Sequence, residues 1–295
     1  MDVYDLIQKG KIKRYFRSRN KISFPGAISH ITQRAPGREK LFIEDKDYFM
    51  MLHVIKAAVK KYNLSFFSFV LMPNHVHFLF QLNKNNLSGS LQYIFNNYAF
   101  YFNKKYERKG HVFCDRFRQA LCCDETYLLA SSVYIHANPI VAGLAKNIST
   151  YRWSSIAPFL HKVDKKPFIK YKLILQILSE DITSARQMYK DLLHRSIKLK
   201  AGNLWDNAKA MDVFRDKLID PLRKVMSSSK RFDPILSIES EIDDILTKKY
   251  HKNHAATAAR VYLIQQLQAK GYSISEIARK LSLTRQAIYK TLKSG

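Results

Sequence analysis

Two histidines separated by one residue, His75 and His77, are the first side chains in this sequence whose types and spacing could do chemistry. Residues 64–71 and 75–81 are strongly apolar runs broken only by Pro73-Asn74, the pattern of two strands joined by a tight turn. Side chains alternate between the faces of a strand. His75 and His77 therefore point the same way, with Cα atoms about 6.6 Å apart. Two imidazoles at that separation are within reach of one divalent cation. Val76 faces the other way, into a core with Phe78 and Phe80. An isolated pair of this kind is more often two sheet histidines bonded to their neighbours. The setting favours chemistry, because the pair lies in a basic chain with a tyrosine-bearing helix downstream.

The elements that must position the pair follow from periodicity. Residues 27–32 alternate as a strand, and 34–37 read as a turn. Phe49, Leu52, Ile55 and Val59 repeat at helical spacing within 45–62. A long aromatic helix spans 87–106, stopped by Gly110. Residues 111–121 suit another strand, and 124–133 and beyond a helix that lasts until Pro139. The order strand, helix, two strands, helix, strand, helix is an α+β pattern, close to ferredoxin-like: an antiparallel sheet with helices on one face. After about residue 150 the chain turns all-α, with helices over 170–200 and 206–250 and a linker at 226–233.

The partner is written in the charge. Lys and Arg number 50 against 24 Asp and Glu, a net +26 with His neutral. That excess calls for a polyanion, and nucleic acid is the commonest. A membrane surface competes, but no run of ~18 apolar residues exists to span a bilayer, and the N-terminus lacks a signal-peptide core. Residues 11–21 form a basic arm suited to phosphates. A second basic cluster, Lys104, Lys105, Arg108 and Lys109, closes the aromatic helix. The three cysteines suit a reducing cytoplasm. His111, Cys114, Cys122 and Cys123 match no standard zinc spacing.

Several segments together resemble one family. Met72-Pro-Asn-His-Val-His-Phe78 resembles the His-apolar-His strand of HUH endonucleases, and in particular the single-tyrosine transposases of the insertion-sequence-200 type, REP-associated branch. The segments His30-Ile-Thr-Gln-Arg34 with Leu41-Phe42, Gly110 to Arg118, Tyr134 to Gly143, and Tyr151-Arg-Trp-Ser-Ser155 resemble that branch in the same order. Cys114-Asp115 and Ala137 depart from it. The resemblance implies that Tyr134 is the nucleophile, attacking a DNA phosphorus to leave a 5′-phosphotyrosine and a free 3′-hydroxyl. A free phenol has a pKa near ~10, so it needs activation or a polarised target. The family likeness supports a polar metal ligand four residues on, and i and i+4 share a helix face. Asn138 would then join His75 and His77 around Mg²⁺ or Mn²⁺. Asn138 could equally cap the helix before Pro139. Tyr98, Tyr101, Tyr106 and Tyr127 also fall on helices, but only Tyr134 has the Asn-Pro context. His136 points off the Tyr134–Asn138 face. His30, on a strand beside the site, suits phosphate contact and packing equally.

The end of the chain reads as a helix-turn-helix. Ser273 and Glu276 form a capping box, Thr284 caps a second helix, and Arg285, Gln286, Tyr289 and Lys290 are left outward to meet base edges and phosphates. Residues 257–268 supply a supporting helix. Three parts result: a catalytic domain over 1–160, a helical extension and linker over 161–250, and a DNA-binding unit over 251–295. The expectation is a bacterial, cytoplasmic, nucleoid-associated transposase that cleaves and rejoins single-stranded DNA at hairpin-containing repeats, with homodimerisation open. The alternatives are a catalytically silent DNA-binding regulator, and a small-phosphate hydrolase that would leave the charge and the last unit unexplained.

Overall fold

The computed structural model describes residues 15–16, 21, 23, 25–37, 39–114, 116–122, 125–164, 167–199, 208–219, 264, 267–268 and 272–294. Five antiparallel strands, β1 (Tyr15–Phe16), β2 (Ile28–Arg34), β3 (Leu64–Met72), β4 (His75–Leu82) and β5 (Arg118–Leu121), lie in the order β1-β5-β2-β4-β3. Helices α1 (Asp45–Tyr62), α2 (Leu87–Lys105) and α3 (Glu125–Val141) alternate with them. After these come α4 (Ala157–Leu160), α5 (Tyr171–Gln176), α6 (Ile182–Lys198), α7 (Ala208–Ile219), α8 (Ile274–Lys280) and α9 (Arg285–Ser294). No helix among the described residues is long and apolar enough to cross a membrane.

Local chemistry sets the boundaries. Glu44 and Asp47 form a capping box at the start of α1, and Asn63 ends it in the left-handed region at φ 52°. Asp47 also accepts from Tyr101, Lys105 and Tyr106, which fastens α1 to α2. β3 is buried along its whole length, which its unbroken apolar run anticipates. Although β3 lies at the sheet edge, Trp153, Ser155 and Lys170 bond along it. Leu71 N–H donates to Trp153 O, Ser155 N–H to Phe69 O and Lys170 N–H to Phe66 O. Trp153 stacks on Tyr48, and Tyr151 donates to Leu71 O, so the Tyr-Arg-Trp-Ser-Ser segment is a cover for this edge.

The layering corrects the expectation of helices on one face. Phe78 stacks with Phe95 of α2, so α1 and α2 cover the Val76–Phe78–Phe80 face. The helix α3 lies on the other face, where Ser132 meets Ser68 of β3. It is apolar nearly all round and mostly buried, so it needs cover on its outer side too, and α6 and α7 supply it. Pro139 does not end this helix, which runs on to Val141. Asn138 Nδ2 donates to Tyr134 O at 3.3 Å, in the turn before the proline. Gly110 does not stop α2 either. That helix ends at Lys105, and Glu107 takes the left-handed turn at φ 49°. Of the described residues in 111–121, the last four are strand, where the ladder with β2 forms.

The terminal pair matches its expectation locally. The capping box Ser273/Glu276 forms, Ala287 N–H donates to Thr284 Oγ1, and Ser282 turns at φ 51°. Ile277, Ala278, Leu281 and Ile288 are buried. Of the supporting helix, Ile264, Leu267 and Gln268 are described, all helical. The linker at 226–233 and positions 11–14, 17 and 19 of the basic arm lie outside the described residues.

Candidate active site

Strand pairing builds the site. Thr32 faces His77 across the β2–β4 ladder, and Arg34 faces His75. All four therefore share the face that α3 covers. The two histidine rings stand edge to face with centroids 4.9 Å apart. His75 Nδ1 lies 2.7 Å from Asn74 Oδ1, which can only accept, so Nδ1 carries the proton and Nε2 the lone pair. His77 Nδ1 lies 3.0 Å from His30 Nε2 and 3.1 Å from Thr32 Oγ1. A proton on Nδ1 of His77, donated to this pair, likewise puts its lone pair on Nε2. Burial, reinforced by the Arg34 guanidinium, draws His75 down to about 4. Burial first, then His75, His30 and Arg34, holds His77 well below the ordinary histidine value. Both rings are thus neutral at neutral pH, the form that ligates a cation.

The two rings line a cavity of about 120 Å³ together with Thr32, Arg34, Ala35, Gly37 and Asn74. Two neutral imidazoles at its wall fit a divalent cation of borderline softness. Among the described residues no group of three His, Cys, Asp or Glu could hold a metal. A third protein donor would have to be of another type, such as an amide oxygen. Asn138 is partly buried on α3 with its Nδ2 turned back to Tyr134 O, which leaves Oδ1 as its atom for a cation.

Tyr134 reaches the same place from α3. Its ring meets His77 edge to face at 5.7 Å between centroids and His30 at 6.2 Å. On its outer side it meets Phe214 of α7 at 6.0 Å. Only 3% of Tyr134 is exposed. The sequence-derived set His75, His77 and Tyr134 is therefore contiguous, with Asn138 one helical turn away. His30 belongs to this cluster through its bond to His77, and Thr32, Arg34 and Asn74 were missed. The signal for Thr32 and Arg34 was the two-residue alternation from His30 along β2, and for Asn74 its place next to His75, but which strand β2 faces is not written locally.

His136 is a different case. Its Nδ1 lies 2.8 Å from Tyr189 Oη and its Nε2 2.8 Å from Ser155 Oγ. Tyr189 also meets Ser132 Oγ at 2.7 Å, and Ser132 meets Ser68 Oγ at 2.6 Å. This buried chain joins β3, α3, α6 and the edge cover.

The expected DNA contacts divide. Lys104 is exposed. Lys105 bonds Asp47 at 2.5 Å and Glu44 at 2.6 Å, which ties α2 to α1. Arg108 pairs with Glu39 at 2.7 Å on the surface, where such pairs exchange readily. Arg285, Gln286, Tyr289 and Lys290 are all exposed on α9. Cys122 is buried beside Ser131, and His111 is exposed; Cys123 lies outside the described residues.

Residues 24–138 match the family described as "Transposase IS200 like". Among solved structures, a REP-associated tyrosine transposase bound to a REP hairpin is similar at 18% identity, covering 52% of this chain and 92% of that one, with a TM-score of 0.43. No curated protein matches the chain.

Proposed function

From the IS200-like transposase match of residues 24–138, we propose that this chain cleaves and rejoins single-stranded DNA through a covalent bond to Tyr134. The observation that carries this reading is the edge contact of Tyr134 with His77, at 5.7 Å between ring centroids. The Tyr134 phenol oxygen attacks a phosphorus, forming a 5′-phosphotyrosine. The bond to the 3′-oxygen breaks, and that oxygen leaves as a hydroxyl after taking a proton. Attack by a 3′-hydroxyl on the same phosphorus reverses the step and releases Tyr134. The phosphodiester energy is kept throughout, so no nucleotide is consumed.

His75 and His77, with Asn138, would hold Mg²⁺ or Mn²⁺, which when bound polarises the phosphate. Thr32 and His30 fix the His77 ring, and Asn74 fixes that of His75. Arg34, on the cavity wall, offers charge to a phosphate oxygen. A phenol only 3% exposed does not meet a DNA phosphate until Phe214 moves aside, so binding includes a displacement of α7. The outer face of α9 adds a second DNA contact through Arg285, Gln286, Tyr289 and Lys290, and hairpin-containing repeats are the proposed targets.

The test is a covalent-adduct assay. Full-length protein is incubated with labelled hairpin-bearing single strands from the flanks of its gene, with Mn²⁺ or Mg²⁺, and run on a denaturing gel. The expected result is a labelled protein band that requires the metal, vanishes in Tyr134→Phe and persists in Tyr127→Phe. Tight, salt-dependent binding with no band on any flank would instead establish a silent DNA-binding regulator.

A further inference from the structure

A groove of about 610 Å³ opens on the sheet face opposite the histidines. It lies within the usual range for ligand sites. Gln33 of β2 forms its floor. Gln33 pairs with Val76, whereas its neighbours Thr32 and Arg34 pair with His77 and His75. Consecutive residues of one strand thus look into two different cavities. One wall is α2, where Gln92 and Asn96 are exposed one turn apart. The other wall is the segment 110–117, with Phe113 and Phe117 half-buried. Its start and its middle are tied down. Asn103 Nδ2 donates to Gly110 O at 2.9 Å, and Cys114 N–H donates to Arg34 O at 2.8 Å.

Cations mark the rim. Lys21 Nζ sits 5.1 Å over the Phe117 ring, and burial together with nearby Arg116 draws the Lys21 ammonium down to about 8. Arg116 continues into a second groove of about 320 Å³ that also contains Arg34 and Arg118. This second groove shares Arg116 and Gln33 with the first, and Thr32 and Arg34 with the histidine cavity. The three form one path, from Phe117 past three arginines to His75 and His77. None of the described residues lining it is acidic.

We propose that the large groove binds an unpaired nucleobase of the same DNA strand whose phosphate is presented to His75 and His77. The proposal rests on the reading that the chain acts on single-stranded DNA. A base offers an aromatic face for Phe113 and Phe117, and edges of donors and acceptors for the carboxamides of Gln92 and Asn96. The intervening phosphates meet Arg116, Arg118 and Arg34. A polyanion without bases would use the arginines and leave the aromatic and carboxamide walls idle.

The test is fluorescence anisotropy on the full-length protein in EDTA, so that no chemistry is required. Two labelled strands of equal length are compared, one of mixed sequence and one of abasic deoxyribose phosphates. The double variant Gln92→Ala/Asn96→Ala changes two exposed helix positions, which spares the core. It is expected to weaken binding of the mixed strand ~5–20-fold and leave the abasic strand unchanged. Arg116→Ala is expected to weaken both strands alike and to lower the salt slope by about 0.7. Equal binding of the two strands by the unaltered protein would overturn the proposal. So would a double variant that behaves as the unaltered protein on the mixed strand, or that weakens both strands equally. The Tyr134 adduct is assayed on the same preparations. An adduct without the base-dependent loss discards the groove alone, and a base-dependent loss without an adduct discards the strand-transfer reading alone.

Discussion

His77 and His136 are both buried, both neutral and both engaged with side chains from other elements, yet they do different work. His136 has a partner on each ring nitrogen, Tyr189 on one side and Ser155 on the other, and lines none of the cavities described above. His77 meets His30 and Thr32 through Nδ1 and turns its ring to a cavity wall. Burial pulls both below the ordinary histidine value, His136 to about 3. A displaced pKa therefore does not tell a catalytic histidine from a structural one. Access does, since His77 lines a cavity and His136 lines none of those described.

Exchanging the two residues for alanine gives the largest test. His77→Ala is expected to lower adduct formation roughly 100-fold or more, with melting less affected than in its counterpart. His136→Ala should retain the adduct and lose about 3 kcal/mol of stability, because two hydroxyls are left buried without their partner. That loss reads out as a fall of about 6–12 °C in a thermal melt. The reverse ordering of the two variants in the two assays would break the comparison. A finer cut is Tyr189→Phe, which removes one oxygen and keeps the ring. It should cost about 1–2 kcal/mol in a denaturant titration while His77-dependent chemistry is unchanged. Loss of metal-dependent cleavage in this variant would mean that the two networks are coupled.

The smallest effect concerns pH. Burial raises the Asp47 carboxyl, but its bonds from Lys105, the Glu44 and Ile43 amides and Tyr106 prevail and hold it below the ordinary carboxylate value. A carboxyl depressed on folding adds stability above its unfolded pKa, near ~4, and loses it as the pH falls through the lower folded value. Asp47→Asn should therefore flatten the acid limb of a stability-against-pH curve below about pH 4 and leave its neutral region sloped as before. An unchanged acid limb would show that the cluster around Lys105 is already open in solution.

How far the sequence carried depended on whether a signal was local. Helix α1 appears with its expected bounds, Asp45–Tyr62, because its caps and apolar spacing lie within it. The pair His75 and His77 shares a face, as strand alternation requires. Long-range facts were less legible. That His30 bonds His77 depends on the register between β2 and β4, separated by over forty residues. That Lys105 is held by Asp47 depends on how α1 packs on α2. The burial of α3 on both sides is written in its lack of a polar face, a sign that the expected one-sided layering passed over. Pro139 misled because a buried helix packed on both sides can carry an internal proline, at the loss of one ladder bond to Ile135 O.

The hydroxyl chain from Ser68 through Ser132 and Tyr189 to His136 has a consequence for what counts as one module. The stretch that matches the IS200-like transposases, residues 24–138, stops inside helix α3, which runs to Val141. A cut after residue 160 would keep the whole helix but strip Tyr189 from Ser132 and His136, and would bare the outer side of the helix that bears Tyr134. The stretch that matches the family is therefore smaller than the body these bonds tie together. A truncated protein meant to isolate the chemistry must extend at least through Lys198, the end of α6.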